Sequence, residues 1–158
     1  MSMWTIREGQ VEELDRLIAL RRTMFESMGF DDAESLDRTC EAAREYFAEH
    51  MPTGAFRVWT AEHEGRLIAS IGLVIHSTPP SPHNLVGKIG YIMNLVVLPA
   101  WRRLGIARAL LEHVLGVLRT EGVPAASLHA SSNGRHLYEA LGFEEAKDLP
   151  EMRHTLPT

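Results

Sequence analysis

The sequence predicts an α/β fold with a mixed sheet of about six to seven strands, flanked by about four helices. An apolar run from Ile92 to Leu98, interrupted only by Asn94, is typical of a strand buried on both faces. A segment at residues 125–130 predicts another strand after an intervening helix, and this βαβ order indicates a parallel pair. The apolar residues of that helix recur at helical spacing: Leu104, Ala107, Leu110, Leu111, Val114, Leu115 and Leu118.

The N-terminal part of the chain predicts an edge strand and two helices. Residues 4–7 alternate as a short strand, and the apolar spacing between Val11 and Met28 is helical. Gly29 then ends this first helix as a C-cap. A second helix is predicted from about Ala33 to His50, and Cys40 in its pattern is interpreted as a small buried hydrophobe.

The middle of the chain predicts an antiparallel hairpin and then the central strand. Residues 56–63 and 66–76 have strand character and are joined by Glu64-Gly65. Residues 77–87 contain three prolines and predict a loop, and the central strand covers residues 88–98. Pro99 ends that strand, since proline cannot continue the hydrogen-bonded ladder.

The C-terminal part predicts one more helix and two terminal strands. Ser131 or Ser132 is a candidate N-cap of the helix, and Gly142 ends it. Residues 143–146 and 152–156 are predicted to form the terminal strands.

Composition limits the class of protein. A length of 158 residues with 45% hydrophobic content suits one domain over residues 1–158. A formal charge of −5 argues against a generic nucleic-acid binder. No apolar run is long enough to span a membrane and no secretory signal precedes the fold, so we expect a cytoplasmic protein. The histidines lack the paired spacing of a zinc site, so no metal is expected.

The junction between the central strand and the following helix has the properties of a phosphate site. The first amides of a helix have no intrahelical acceptor and carry the positive end of the helix dipole. Gly105 and Ala107 would allow a diphosphate to approach the backbone, and Arg102 and Arg103 supply positive charge. Small residues in a first turn also serve helix packing, so the pattern alone is consistent with either role.

Two ordered motifs resemble those of the GNAT family of N-acetyltransferases. Val97-x-Pro99-x-x-Arg102-Arg103-x-Gly105-x-Ala107 is similar to the acetyl-CoA motif of that family. Leu137-Tyr138-Glu139-Ala140-Leu141-Gly142-Phe143 resembles its later helix and turn. The resemblance implies a parallel strand pair that splays apart, with the pantetheine arm of acetyl-CoA in the gap.

Acetyl-CoA is therefore the expected co-substrate, with its diphosphate on the amides from Arg103 to Ala107. In many relatives an asparagine that contacts the cofactor stands at the position of Ser131, and Asn133 is a candidate substitute. The cofactor contacts implied by the resemblance are Leu95, Val96, Val97, Arg102, Arg103, Leu104, Gly105, Ile106, Ala107, Ser131, Asn133 and Tyr138.

The implied reaction is direct transfer of the acetyl group to an amine. Tyr138 matches the family tyrosine that acts as general acid toward the CoA sulfur, although a tyrosine in an amphipathic helix otherwise packs at a core boundary. A backbone amide at Val97 or a near neighbour is expected to stabilise the oxyanion.

The general base is less clear from the sequence. Many relatives carry glutamate near the position of Asn94, and asparagine cannot accept a proton at neutral pH, so Asn94 is expected to orient the acceptor or a water molecule. His129 has the intrinsic pKa of a base but is equally consistent with a structural histidine. Glu26 is a third candidate.

The acceptor is predicted to be a small-molecule or peptide amine. The sequence leaves open whether the protein forms a homodimer. Arg21 lies on the apolar stripe of the first helix, where its guanidinium would reach water or bind a substrate carboxylate. The acidic residues between the first two helices would attract an ammonium group or cap the second helix. A non-catalytic acyl-CoA sensor is the alternative function, and a protein-interaction domain is disfavoured by the intact cofactor motif.

Overall fold

A five-stranded mixed sheet forms the centre of the computed structural model, which describes residues 3–158. Its strands lie side by side in chain order: β1 (Thr5–Glu8), β2 (Arg57–His63), β3 (Arg66–Ser77), β4 (Lys88–Val97) and β5 (Ala126–Ser127). Neighbours are antiparallel except for β4 and β5, which are parallel. The predicted α/β class and parallel pair are confirmed, with fewer strands than expected.

Within residues 3–158, four α-helices cover the sheet, as predicted: α1 (Leu14–Ser27), α2 (Ala33–His50), α3 (Ile106–Thr120) and α4 (Arg135–Ala140). One apolar cluster joins α1 and α2 to the sheet through residues such as Leu17, Phe47 and Val58. A second cluster joins α3 to the sheet through residues such as Leu110 and Ile71, and α4 packs against this cluster. Because adjacent residues of a strand point to opposite faces, the two clusters place α1 and α2 on one face and α3 and α4 on the other.

Local turn chemistry agrees with several sequence predictions. Glu64 and Gly65, which join β2 to β3, both have left-handed backbone conformations with φ of 47° and 79°. This is the geometry of a two-residue hairpin turn. Gly29 follows α1 with φ of 97°, as expected of a C-cap glycine. The Asp32 side chain accepts a hydrogen bond from the Glu34 amide at 3.2 Å, so it is the N-cap of α2.

The two terminal strands were wrongly predicted. Residues 143–146 and 152–156 are not part of the sheet, and Leu149 and Met152 are 85% and 91% exposed. The strand expected over 125–130 is also shorter, since only Ala126 and Ser127 pair with β4. A segment becomes a strand only when it pairs with the edge of a sheet. An alternating sequence does not show whether such pairing forms.

The starts of α3 and α4 differ from the prediction as well. Leu104 precedes α3 and is 51% exposed, whereas Ile106 begins the helix and is 1% exposed. Leu104 therefore does not belong to the apolar stripe. Gly134 rather than a serine precedes α4, and its amide donates to the Ser131 carbonyl at 3.1 Å. Cys40 is only partly buried.

Candidate functional site

The parallel strands β4 and β5 separate almost at once. Only Gly90 and Tyr91 of β4 are paired, with Ala126 and Ser127 of β5. From Ile92 to Val97 the same edge of β4 has no strand beside it within residues 3–158. Extended amide-bearing ligands bind such an edge by adding backbone hydrogen bonds. The resulting gap lies along Leu95, Val96 and Val97, where the sequence predicts the cofactor.

A β-bulge at Asn94 coincides with this separation. Ser70 pairs with Val96 and Gly72 pairs with Met93, so β4 contains one residue more than β3 over this stretch. Asn94 has φ of 56°, a left-handed conformation that asparagine tolerates better than most residues. Bulges bend a strand and redirect side chains. The polar interruption of the apolar run was its only sequence signal.

The segment before α3 forms a cradle of backbone amides. Arg103 and Gly105 are both left-handed, with φ of 63° and 81°. Ala109 is the first amide of α3 that donates to a backbone carbonyl, that of Gly105 at 3.0 Å. The amides from Arg103 to Arg108 have no acceptor in the described chain. Alternating backbone conformations before a helix N-terminus create a site for an anion.

The space in front of this cradle is open. A Cβ built on Gly105 would have no heavy atom within 4 Å, so glycine is required here by its φ and not by crowding. Leu104 and Arg103 are exposed beside it. Free amides, an open approach and an arginine together suit a diphosphate, which is the group that acetyl-CoA would present.

The guanidinium of Arg102 is hydrogen-bonded to two protein groups. Its Nε donates to the Val97 carbonyl at 3.0 Å and its Nη2 donates to the Ser27 hydroxyl at 2.9 Å. The side chain thus joins the end of β4 to the last residue of α1. In this conformation Arg102 holds the segment before α3 in place through protein contacts.

Tyr138 of α4 has a half-buried ring and an unpaired hydroxyl. The ring packs edge-on against Phe143, with centroids 6.1 Å apart, and lies against Gly134, where a Cβ would approach within 2.8 Å of Cε2. No described residue hydrogen-bonds its hydroxyl. Burial raises the pKa of Tyr138, so the phenol stays protonated at neutral pH. Ser131 and Asn133, before α4, are exposed.

His129 is hydrogen-bonded through both ring nitrogens. Nδ1 lies 2.7 Å from the Tyr91 hydroxyl, and Nε2 contacts the Glu151 carboxylate. Sequence reasoning did not single out Tyr91 or Glu151, because they lie 38 and 22 residues from His129. The sequence offered one signal for Tyr91. Side chains alternate along a strand, so the position of Tyr91 in β4 predicts the face of the sheet on which it lies.

Arg21 and Asn94 line one small cavity on the face covered by α1 and α2. The cavity measures about 10 Å³, close to the size of one water molecule. The Arg21 guanidinium stacks over Phe25 at 5.0 Å, and its Nε is buried without a hydrogen-bond partner in the described chain. The expectation that this guanidinium would simply reach water is therefore wrong in part. Burial lowers the pKa of Arg21, which nevertheless stays charged.

Glu26 lies apart from these residues. Its side chain is 54% exposed and approaches Arg22 at 3.9 Å. The structure therefore brings together Arg21 with Asn94, and His129 with Tyr91, whereas Glu26 does not line the cavity of Arg21 and Asn94. Within residues 3–158 no three His, Cys, Asp or Glu side chains gather as a metal site would require. None of the helices in the same range could cross a membrane.

A separating parallel strand pair beside a helix whose first amides are free defines a class of α/β protein with a strand edge and an anion site next to each other. The model of the acetyltransferase (GNAT) family matches residues 15–143. The chain belongs to this family, as its two motifs predicted.

Solved structures agree with this assignment. An N-acetyltransferase of the same family from Ralstonia eutropha JMP134 superposes with a TM-score of 0.86 at 29% identity, over 97% of this chain and 98% of that one. An acetyltransferase structure with acetyl-CoA from Clostridium acetobutylicum has a TM-score of 0.83 at 23% identity, over 95% of this chain and 96% of that one. At 23% identity, the superposition on the Clostridium acetobutylicum structure shows a shared fold and nothing beyond it.

A curated relative matches a shorter segment. The ribosomal protein bS18-alanine N-acetyltransferase of Escherichia coli (strain K12) is 40% identical over 58 residues, which are 35% of this chain and 39% of that enzyme. This chain is an acetyltransferase by family, and the name of that relative says that it acetylates an alanine of the ribosomal protein bS18.

Proposed function

We propose that this protein transfers the acetyl group of acetyl-CoA to a primary amine of a small molecule or peptide, by direct attack in a ternary complex. The observation that carries the proposal is the cradle of free amides from Arg103 to Arg108, next to the unpaired edge of β4. The amide cradle suits the diphosphate of acetyl-CoA, and the strand edge suits its amide-bearing pantetheine arm. The two together match acetyl-CoA better than either matches a simple anion.

In this proposal the cofactor contacts divide between two segments. The amides of Arg103, Leu104, Gly105, Ile106 and Ala107 hold the diphosphate, while the edge of β4 at Leu95, Val96 and Val97 pairs with the pantetheine arm. Arg102 stabilises the loop through Val97 and Ser27. Ser131 and Asn133 border the gap from the β5 side.

Acetyl-CoA supplies an acetyl thioester, and the protein supplies orientation and proton transfer. Tyr138 keeps its proton at neutral pH and has an unpaired hydroxyl, as a general acid toward the departing sulfur requires. In this proposal the backbone amide of Val97 or a near neighbour, on the C-terminal side of the bulge, stabilises the oxyanion. Both contributions come from residues at the gap between β4 and β5.

The acceptor side of the proposal uses the face that α1 and α2 cover. Asn94 orients the amine or a water molecule, and His129 accepts a proton. Arg21 is a half-buried cation whose buried Nε has no hydrogen-bond partner in the described chain, so it would favour an acceptor that carries a carboxylate. Glu26 would contribute only through its charge at the end of α1. We place the reaction in the cytoplasm, where its co-substrate is expected.

A panel of amines tests the proposal. It should include alkylamines, amino acids, polyamines and peptides with a free N-terminal alanine, because the bS18 acetyltransferase matched above acts on an alanine. We expect steady release of free CoA, measured with a thiol reagent, and one acetylated product by mass spectrometry. Tight binding of acetyl-CoA without turnover of any amine would contradict the proposal and favour a sensor.

A further inference from the structure

Four side chains form a continuous hydrogen-bonded chain at the end of the β4–β5 pairing. The Tyr91 hydroxyl lies 2.7 Å from His129 Nδ1, and His129 Nε2 contacts a carboxylate oxygen of Glu151. The other carboxylate oxygen of Glu151 accepts from the Nε of Arg153 at 2.7 Å. Of these four residues, only His129 is a site residue predicted from the sequence.

The chemistry of the groups fixes the direction of this chain. Arg153 and His129 lower the pKa of Glu151 to about 2, so its carboxylate is ionised at neutral pH and only accepts hydrogen bonds. The neutral imidazole of His129 then carries its proton on Nε2 and presents an unprotonated Nδ1. Tyr91 donates to that Nδ1, and its oxygen retains a lone pair for another donor.

The position of Tyr91 directs that lone pair toward the acceptor side of the sheet. A Cβ on Gly90 would meet Leu118 of α3 at 2.6 Å, so Gly90 faces α3. Tyr91, the next residue, faces the opposite side, together with its β3 partner Val74, which packs in the cluster of α1 and α2. Tyr138 packs in the cluster of α3. The chain and Tyr138 therefore border the gap from opposite faces.

We propose that Tyr91, His129 and Glu151 form a proton relay that deprotonates the acceptor ammonium. This inference rests on the proposed function. The ammonium N–H gives its proton to the Tyr91 oxygen while the Tyr91 O–H proton passes to His129 Nδ1. Glu151 stabilises the imidazolium that results.

The protons and bonds of the transfer then balance. The neutral amine uses its lone pair to form the C–N bond, and the C–S bond breaks with its electron pair on sulfur. A second proton leaves the amine nitrogen, and the sulfur receives one through Tyr138. His129 releases its proton to solvent, so one ammonium and one thioester yield one amide, one thiol and one free proton.

The three residues have different roles. Tyr91 is a catalytic residue because it touches the acceptor, whereas His129 and Glu151 act through Tyr91 and are positioning residues. The other charged or titratable groups facing the relay are His76, whose ring centroid lies 6.0 Å from that of Tyr91, and Arg153. His76 belongs to β3 and has no hydrogen bond to the relay.

Two amines of different basicity separate this relay from a structural role. We compare Tyr91→Phe, His129→Gln and the double variant, with the exposed loop change His83→Gln as control. With an alkylamine from the panel, kcat/KM at pH 7 should fall about 10²- to 10⁴-fold in either variant. The double variant should be no slower than the slower single variant, because the residues act as one unit.

With the β,β,β-trifluoro analogue of the same amine, which is mostly neutral at pH 7, all variants should retain the wild-type rate. The KM for acetyl-CoA and the Tm should stay unchanged throughout. Equal losses with both amines would indicate a packing role and overturn the relay alone. An undiminished rate with the alkylamine would do the same.

The ring proton of His129 gives a second measurement that needs no acceptor. Long-range ¹H–¹⁵N spectra of the wild type should show the proton on Nε2, and Glu151→Gln should weaken this preference. A wild-type ring protonated on Nδ1 overturns the relay. Absence of turnover with every amine by the wild type instead overturns the proposed function, and the relay with it.

Discussion

The side chain of Leu118 in α3 fills the space that a side chain at Gly90 in β4 would occupy. A Cβ on Gly90 would lie 2.6 Å from both terminal carbons of Leu118, which is only 3% exposed and cannot move into solvent. Gly90 also pairs with β5, and its amide donates to the Ala125 carbonyl at 2.9 Å. The close approach of α3 to β4 therefore occurs where the parallel strands are still joined.

Gly90→Ala should destabilise the fold by about 1–3 kcal/mol, because the added methyl overlaps a buried leucine. Urea unfolding measures the change. Leu118→Ala should lower the cost of Gly90→Ala in the double variant, since it removes the overlapping atoms. The control is Gly116→Ala. Gly116 lies in α3, as Leu118 does, and a Cβ there would have open space around it. That change should stabilise by about 0.5–1 kcal/mol, and equal effects at both glycines would contradict the packing argument.

Gly105→Glu should abolish acetyl-CoA binding while the fold persists. It places bulk and negative charge in front of the amides that we assign to the diphosphate. Titration calorimetry measures the affinity. Gly122→Glu is a matched control, because Gly122 also has a left-handed φ, of 72° against 81°, and open space around it, but lies beyond the other end of α3. Similar affinities for the two folded variants would reject this binding site.

Tyr138→Phe should lower turnover by about 10²- to 10⁴-fold, the usual contribution of a general acid. Acetyl-CoA affinity should change little, since one neutral hydrogen bond contributes only about 0.5–1.5 kcal/mol. The Tm should hold because the ring and its contact with Phe143 are kept. Near wild-type turnover, under conditions where chemistry limits the rate, would leave Tyr138 as a packing residue.

Acid should weaken the fold through Glu13. Its carboxylate accepts from Arg7 Nη1 at 2.9 Å, from Arg16 and from the Gln10 amide, and Arg7 is the main cause that lowers its pKa to about 2 from the ordinary 4.5. A lowered pKa in the folded state means that the stabilisation is complete above pH 4.5 and is lost as the pH falls toward 2.

The contribution of Glu13 should be on the order of 1–2 kcal/mol, less than the full pKa shift would give, because solvent screens the pair. The side chain of Arg7 is 33% exposed and that of Glu13 10%. Urea unfolding of the wild type and Glu13→Gln should differ at pH 7 and converge near pH 2. Glu12→Gln, an exposed neighbour, is the control. A difference that does not depend on pH would contradict the assignment.

Elements whose ends depend on neighbouring residues could be predicted from the sequence. The glycine after α1, the Glu64-Gly65 turn and the strand-to-helix junction at Gly105 all reflect local backbone preferences. The bounds of α2 agree with the apolar spacing for the same reason. The cofactor motif was equally readable, because the free amides of a helix N-terminus lie within one turn of each other.

Features that depend on partners distant in the chain could not be predicted in this way. The bulge at Asn94 exists only in the register of β4 against β3, and the sequence shows it merely as a polar residue in an apolar run. The terminal segments alternate like strands, yet no sheet edge pairs with them.

The sequence by itself determined the family, the parallel pair and the position of the predicted diphosphate site, since each depends on residues close together in the chain. Only the tertiary structure decided which side chains share the gap between β4 and β5. It placed His129 between Tyr91 and Glu151, which are 38 and 22 residues away from it. The physical reason is that a side-chain hydrogen bond requires a distance of about 3 Å in space, whatever the separation along the chain.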